Sequence, residues 1–376
     1  MKFVLAPDSY KGTLSQMDVS QVMKQAILNR YPNSKVITKP MADGGEGTLD
    51  ALLDAADQGE RIPVQVTGPL GEQIDTSIGV VNEDTAVIEV AAIAGLPFVP
   101  EALRNPMETT TYGIGEAIGI VLDRGIRKFV IGLGGSATND GGFGMLAALG
   151  VTIEASENKA LSMKGKGLLD IQTIDFHTID SRIWDCEIQI ASDVDNPLYG
   201  PNGATYIFGP QKGATSEQMA KLDTAMNKYS QLAENALDLK EALVNFPGAG
   251  AAGGLGFAFL LLQAEIISGA KLVAKTIELE KEIADADLVF TGEGKSDEQT
   301  LFGKAPGYVA ELARKHGVKV YLVSGSVEDE DGKLQEYFSE IFSLVDGKIS
   351  LQQALKQTNM VLLEKMKQIL GGKAHD

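Results

Sequence analysis

The chain opens with a short apolar run, residues 3–6, then a polar loop, after which Val19, Val22, Met23, Ala26 and Ile27 recur at helical spacing. This pattern predicts strand, loop and amphipathic helix, with Ser15 as N-cap and Asp18 three positions on as its acidic partner. The same alternation returns at once: residues 36–41 read as a strand, residues 42–48 as a loop rich in glycine and acid, and Leu49, Leu52 and Leu53 as the apolar stripe of a second helix. From residue 61 to about 91 the texture changes to β-rich segments, 62–66, 77–81 and 86–90, separated by Gly68-Pro69 and by Asn82-Glu83-Asp84. Ile114, Ala117, Ile118, Val121 and Leu122 then mark a helix, residues 129–131 a strand and residues 187–191 another, with a polar amphipathic helix over 216–239. The C-terminal third resumes the opening alternation. Strands are predicted at 286–290, 318–323 and 342–345, and a closing helix over 351–370. The two ends match each other and differ from the middle, which predicts two α/β domains: a discontinuous one, residues 1–65 plus 281–376, and an inserted one, residues 66–280. In an open parallel sheet the loops at the carboxyl ends of the strands are where ligands bind.

Composition narrows the class. A length of 376 residues suits two or three domains, and 44% hydrophobic with 22% charged residues is an ordinary water-soluble balance. The formal charge of −18 opposes a nucleic-acid or anionic-membrane surface, both of which need clustered Lys and Arg. Any phosphate bound by so acidic a chain needs backbone N–H donors, a few placed lysines and a divalent metal. Cys186, the single cysteine, excludes an intramolecular disulfide and a Cys-rich zinc site, and its apolar surroundings read as core. No stretch approaches a membrane span and the N-terminus is too short for a signal peptide, so a cytoplasmic protein is expected. Oligomeric state is left open, a homodimer being one option.

The candidate chemistry lies in loops at strand ends. Residues 132–142 hold five glycines with Ser136, Thr138, Asn139 and Asp140, between a strand and an apolar helix, and read as an anion cradle. Gly134, Gly135, Ser136, Thr138 and Asn139 are its expected phosphate contacts. A second glycine-rich loop, 248–256, also precedes an apolar helix; Gly253 and Gly254 are either a second cradle or close packing. The threonines 109–111 read as a solvated helix start or a ligand contact, and Asp43 and Glu46 as N-caps or site residues. Asp193, Asp195, Asn196 and Lys212 follow the 187–191 strand, and hard oxygen ligands of this kind suit Mg²⁺. Two motifs mislead. Gly132-Leu-Gly134-Gly-Ser-Ala137 fits a dinucleotide fingerprint, which keeps a dehydrogenase of a small hydroxy acid open, but the loop runs on past the point where the helix should begin. Gly294-Lys295-Ser296 lacks the upstream glycine of a P-loop, since Val289 stands there. With three histidines scattered over the chain, phosphoryl transfer by carboxylates, lysines, backbone N–H groups and Mg²⁺ fits best.

APDSYKGTLS (6–15), PMADGGEGT (40–48), GLGGSATNDGG (132–142), SDVDNPLYG (192–200) with FGPQKGA (208–214), GAGAAGGLG (248–256) and TGEGKSDEQTLFGKAP (291–306) together resemble the bacterial type I glycerate kinase family, from the first strand to the last helix. The resemblance implies ATP-dependent phosphorylation of D-glycerate, Mg²⁺ dependence, and two α/β domains, one flavodoxin-like and discontinuous, with the active site in the cleft between them. Within the family the product is 2-phosphoglycerate or 3-phosphoglycerate, and the former is favoured here. On this footing Lys11 and Lys295 are expected to neutralise phosphate or carboxylate charge. Asp193 is expected to accept the hydroxyl proton or hold Mg²⁺, with Asp297 and Asp43 as alternates. Asp8, Ser9, Asp43, Asn196 and Lys304 are expected at the substrate. A non-catalytic hydroxy-acid sensor is the remaining alternative.

Overall fold

The computed structural model describes residues 1–10, 12–42, 47–55, 58–155, 160–346 and 349–371. These fall into two compact units, one from Met1–Asp43, Asp50–Asp57 and Ser268–Asp376, the other from Gly44–Leu49 and Gln58–Ile267.

The first unit is built on a parallel sheet of five strands in the order Glu340–Ser343, Val320–Ser324, Leu288–Thr291, Lys2–Leu5, Lys35–Thr38. Numbered within the unit this is 5-4-3-1-2, the doubly wound flavodoxin-like order. Successive side chains alternate across the sheet: Phe3 and Leu5 join Val19, Met23, Ile27, Leu362 and Met366 in one core, while Val4, on the other face, is equally buried. The helix Gln16–Arg30 starts as its sequence predicts. Ser15 Oγ accepts from the Asp18 amide at 3.1 Å, and Asp18 Oδ2 accepts from the Ser15 amide at 3.3 Å. The predicted closing helix is two helices, Leu351–Lys356 and Thr358–Gly371, because Gln357 leaves the helical region (φ −133°).

The second unit is built on a mixed six-stranded sheet. Glu265–Ile267, Glu187–Ala191, Lys128–Gly132 and Thr85–Glu89 run parallel, and Gln73–Val81 and Gly59–Thr67 continue it as an antiparallel ladder. Register places Ile88 beside Ile131 and Ile131 beside Ile190, and all three enter one core with Ile114, Leu146 and Phe257. A hairpin of Thr152–Ala155 with Ile171–Asp175 has no counterpart in the sequence reading. No helix among the described residues is long and apolar enough to cross a membrane.

Candidate active site

In the second unit, the strand Lys128–Gly132 delivers the long glycine loop. Residues 94–96 pin its near end, since the Ala137 amide donates to Ala94 O at 2.8 Å and the Leu96 amide to Gly135 O at 2.9 Å. Gly135 adopts φ +73° and is exposed, Gly134 is half-buried, and Ser136 keeps a narrow opening. Beyond Ser136 the loop closes. Thr138, Asn139 and Asp140 have no accessible surface. Asn139 Nδ2 donates to Thr205 Oγ1 at 2.9 Å. Asp140 Oδ2 accepts from the Thr111 amide at 2.9 Å and from Thr111 Oγ1 at 2.8 Å, and its Oδ1 accepts from the Gly142 amide at 3.0 Å. Burial pushes the Asp140 carboxyl up, against these hydrogen bonds that favour its charged form.

The expected cradle at the helix start is therefore occupied from within. The Gly142 amide serves Asp140, the Phe143 amide bonds Asp140 O at 3.2 Å, and the Met145 amide bonds Thr111 Oγ1 at 3.0 Å. Thr109, Thr110 and Thr111 are buried and are not a solvated helix start: Thr109 and Thr111 donate their hydroxyls to the loop, at Ala137 O (3.2 Å) and Asp140 Oδ2, while Thr110 Oγ1 accepts from the Tyr112 amide at 3.1 Å. Gly253 and Gly254 are packing glycines: a Cβ on Gly253 would lie 2.0 Å from Thr138 O, and one on Gly254 2.8 Å from Gly141 Cα. Surface for a ligand on this loop is left at Gly134, Gly135 and Ser136.

Lys212 lies beneath the loop. Its ammonium is buried and donates to Thr138 O at 2.6 Å and to Ser136 Oγ at 2.9 Å. Desolvation drives its pKa down to about 7, with Asp140 pulling the other way. In the sequence the signal for this role is its place between Gly209 and Gly213. Asp193 stands exposed after Glu187–Ala191. Asn196 shapes the same loop, its Nδ2 donating to Asn202 O at 2.8 Å and its carbonyl accepting from the Gly250 amide at 2.9 Å.

In the first unit, the loops after Lys2–Leu5, Leu288–Thr291 and Val320–Ser324 line a pocket of about 520 Å³. Asp8, Ser9, Lys295 and Lys304, all expected at a site, line it together with Glu293 and Ser326. Asp8 Oδ1 accepts from the Ser9 amide at 2.6 Å, and Tyr10 donates its hydroxyl to Val323 O at 2.5 Å, tying the loop to the end of the strand Val320–Ser324, two places along the sheet. Glu293, unassigned from sequence although it is the first charged residue after a buried strand, is 8% exposed. Its Oε1 accepts from Thr300 Oγ1 at 2.6 Å and Ser296 Oγ at 3.0 Å, and Ser296 in turn meets Ser324 Oγ at 2.8 Å. Burial raises its pKa despite these donors and despite Lys304 Nζ, 3.9 Å from Oε2. Lys304 Nζ is also 3.9 Å from Asp297 Oδ1, which caps the following turn through the Gln299 amide at 2.9 Å. Lys295 forms an exposed ion pair with Glu328 at 2.9 Å. Among the described residues no three acidic, histidine or cysteine side chains form a metal cluster. Lys11, Asp43 and Glu46 lie outside the described residues.

The family model for the glycerate kinase family matches residues 3–372. The chain belongs to the glycerate kinase family. It is 42% identical over 359 residues to a glycerate kinase of Bacillus subtilis (strain 168), covering 95% of this chain and 93% of the relative. It is also 42% identical over 361 residues to a glycerate 2-kinase of Escherichia coli (strain K12), with the same 95% and 93% coverage. A solved Salmonella typhimurium LT2 structure, named provisionally as glycerate kinase 2, superposes with a TM-score of 0.89 at 39% identity over 99% of this chain and 98% of that one. The dinucleotide fingerprint at Gly132 misleads because the loop's far half is sealed and the Gly142 and Met145 amides at its helix start are taken by Asp140 and Thr111.

Proposed function

We propose that this member of the glycerate kinase family transfers the γ-phosphoryl group of ATP to D-glycerate, with the 2-hydroxyl as acceptor and 2-phosphoglycerate as product. The observation that carries the reading is the set of polar loops at the carboxyl ends of the parallel strands in a whole-chain glycerate kinase match, and the relative named a 2-kinase supports the position.

Phosphoryl transfer asks the protein for positioning and charge stabilisation more than for covalent chemistry. Lys295 and Lys304 are cations that can neutralise phosphate charge; their present partners are an exposed carboxylate and two carboxylates at the long distance of 3.9 Å. Asp193, an exposed carboxylate at a strand end, is assigned the proton of the attacking hydroxyl. Asp8, Ser9 and Asn196 are assigned to orient the substrate. The carboxylates present fit Mg²⁺, which takes one or two of them and completes its shell with water and phosphate oxygens: Asp193, exposed at a strand end, would hold it where it does not take the proton, with the half-buried Asp297 as the alternate. When bound, Mg²⁺ supplies charge neutralisation on the phosphates. Ser136, Gly134 and Gly135 remain candidates for an anion, while the sealed Thr138, Asn139, Gly253 and Gly254 are assigned to holding that loop's shape.

An ADP-release assay with purified protein, ATP and a panel of small hydroxy acids tests the reading. Turnover confined to D-glycerate or its near neighbours is expected. Glycerate binding without ADP release would mean a sensor instead, and NADH binding without ATP binding a dehydrogenase.

A further inference from the structure

The pocket of the first unit has two chemically different halves. Its polar half is formed by the loops after the first, third and fourth strands of the 5-4-3-1-2 sheet, the first and third flanking the point where strand order reverses and where doubly wound sheets bind ligands. Its other half is aliphatic: Leu344, Leu351, Ala354 and Leu355. Leu351 and Leu355 are one helical turn apart and remain 56% and 53% exposed, although leucine is ordinarily driven inside. Glycerate is a small polar anion with no apolar face to offer these residues, and it would fill a small part of about 520 Å³. A nucleotide has both a flat apolar base and a polyanionic tail. At the polar half Gly294 and Gly325 bring two loops together so closely that a Cβ on Gly325 would lie 2.4 Å from Gly294 O, so this wall is bare backbone flanked by Lys295 and Lys304.

We infer that this pocket is the adenine-nucleotide site, the base lying against Leu351 and Leu355 and the phosphates toward Lys295 and Lys304, and that the glycine loop at 132–142 is not the nucleotide cradle. The inference rests on ATP being the phosphoryl donor. It also accounts for the sealed far half of the glycine loop, which has no accessible surface at Thr138 or Asn139.

The test is calorimetric titration of the full chain with ADP, alongside steady-state KM values for ATP and for D-glycerate, in wild type, Leu351→Asp and Leu355→Asp. Both leucines are largely exposed, so the substitutions spare the core. ADP affinity is expected to fall by about tenfold or more and the KM for ATP to rise in step, the KM for D-glycerate staying within about twofold. Unchanged ADP affinity, or a rise in the KM for D-glycerate alone, would overturn the assignment while leaving the kinase reading intact. ADP binding that is lost in the leucine variants, from a wild type that never phosphorylates D-glycerate, would keep the site and sink the activity. Photolabelling of the wild type with 8-azido-ADP is independent of any variant: label is expected within residues 344–358, and label confined to residues 132–142 would refute the inference.

Discussion

Lys212 is a lysine with 2% exposure whose ammonium donates to a carbonyl and a hydroxyl. Its pKa of about 7 lies well below the ordinary 10.5. Below the folded value both folded and unfolded chains hold the proton and the cost of burying the charge is present in full. Between the two values the unfolded chain alone binds it, so stability rises with pH across that window. Lys212→Met should flatten this rise in urea midpoints measured at about pH 6, 8 and 9.5; an equally steep rise in the variant would place its source elsewhere. Lys212→Ala, which leaves Thr138 O without its donor and opens a cavity, is expected to lower stability by about 2–4 kcal/mol in the same measurement. For Asp193 the expectation concerns rate. If it takes the hydroxyl proton, Asp193→Asn should lower kcat by about 10²-fold or more with folding stability unchanged, and a kcat near wild type would rule that role out.

At the scale of elements, glycines with the same letter do opposite work. Gly253 has φ +73° and faces Thr138 O where a Cβ would be 2.0 Å away, so Gly253→Ala should destabilise the second unit by about 2 kcal/mol or more. Gly119, within the helix Tyr112–Asp123 and with nothing near its missing Cβ, should instead gain about 0.5–1 kcal/mol on substitution by alanine. Thermal melts of the two variants read both signs at once. The same contrast explains what the sequence could and could not say. Strands such as Glu187–Ala191 and Lys128–Gly132 were legible because apolar runs between polar loops have few other uses. The Ser15 cap was legible because it is local. The Thr152–Ala155 hairpin was not, because its strands are short and partly exposed, and neither was the break at Gln357, which divides an otherwise continuous helical pattern. Glycine richness signalled a loop at 132–142 correctly. That Asp140 and Thr111 would consume its amides is a long-range fact, since these residues are 29 positions apart.

At the scale of the whole molecule, the alternation of strand and helix at both chain ends, with a different texture between, predicts a discontinuous α/β unit, and strands from both ends stand in one parallel sheet whose order, 5-4-3-1-2, no local pattern announces. Of the candidate site, the polar loops were legible and Asp8, Ser9, Lys295 and Lys304 line one pocket, while Glu293 enters it unannounced because its burial depends on Thr300, Ser296 and Ser324. In a chain of net charge −18, Lys295 and Lys304 stand in one pocket, where on the proposed reading they would meet the phosphates. Phosphorus NMR of the product formed from ATP, Mg²⁺ and D-glycerate reads donor, acceptor and position of the reaction together. ADP and a phosphomonoester coupled to the proton on C2 of glycerate are expected. A phosphomonoester on C3, or no glycerate-dependent phosphorus signal at all, would contradict the proposed reaction.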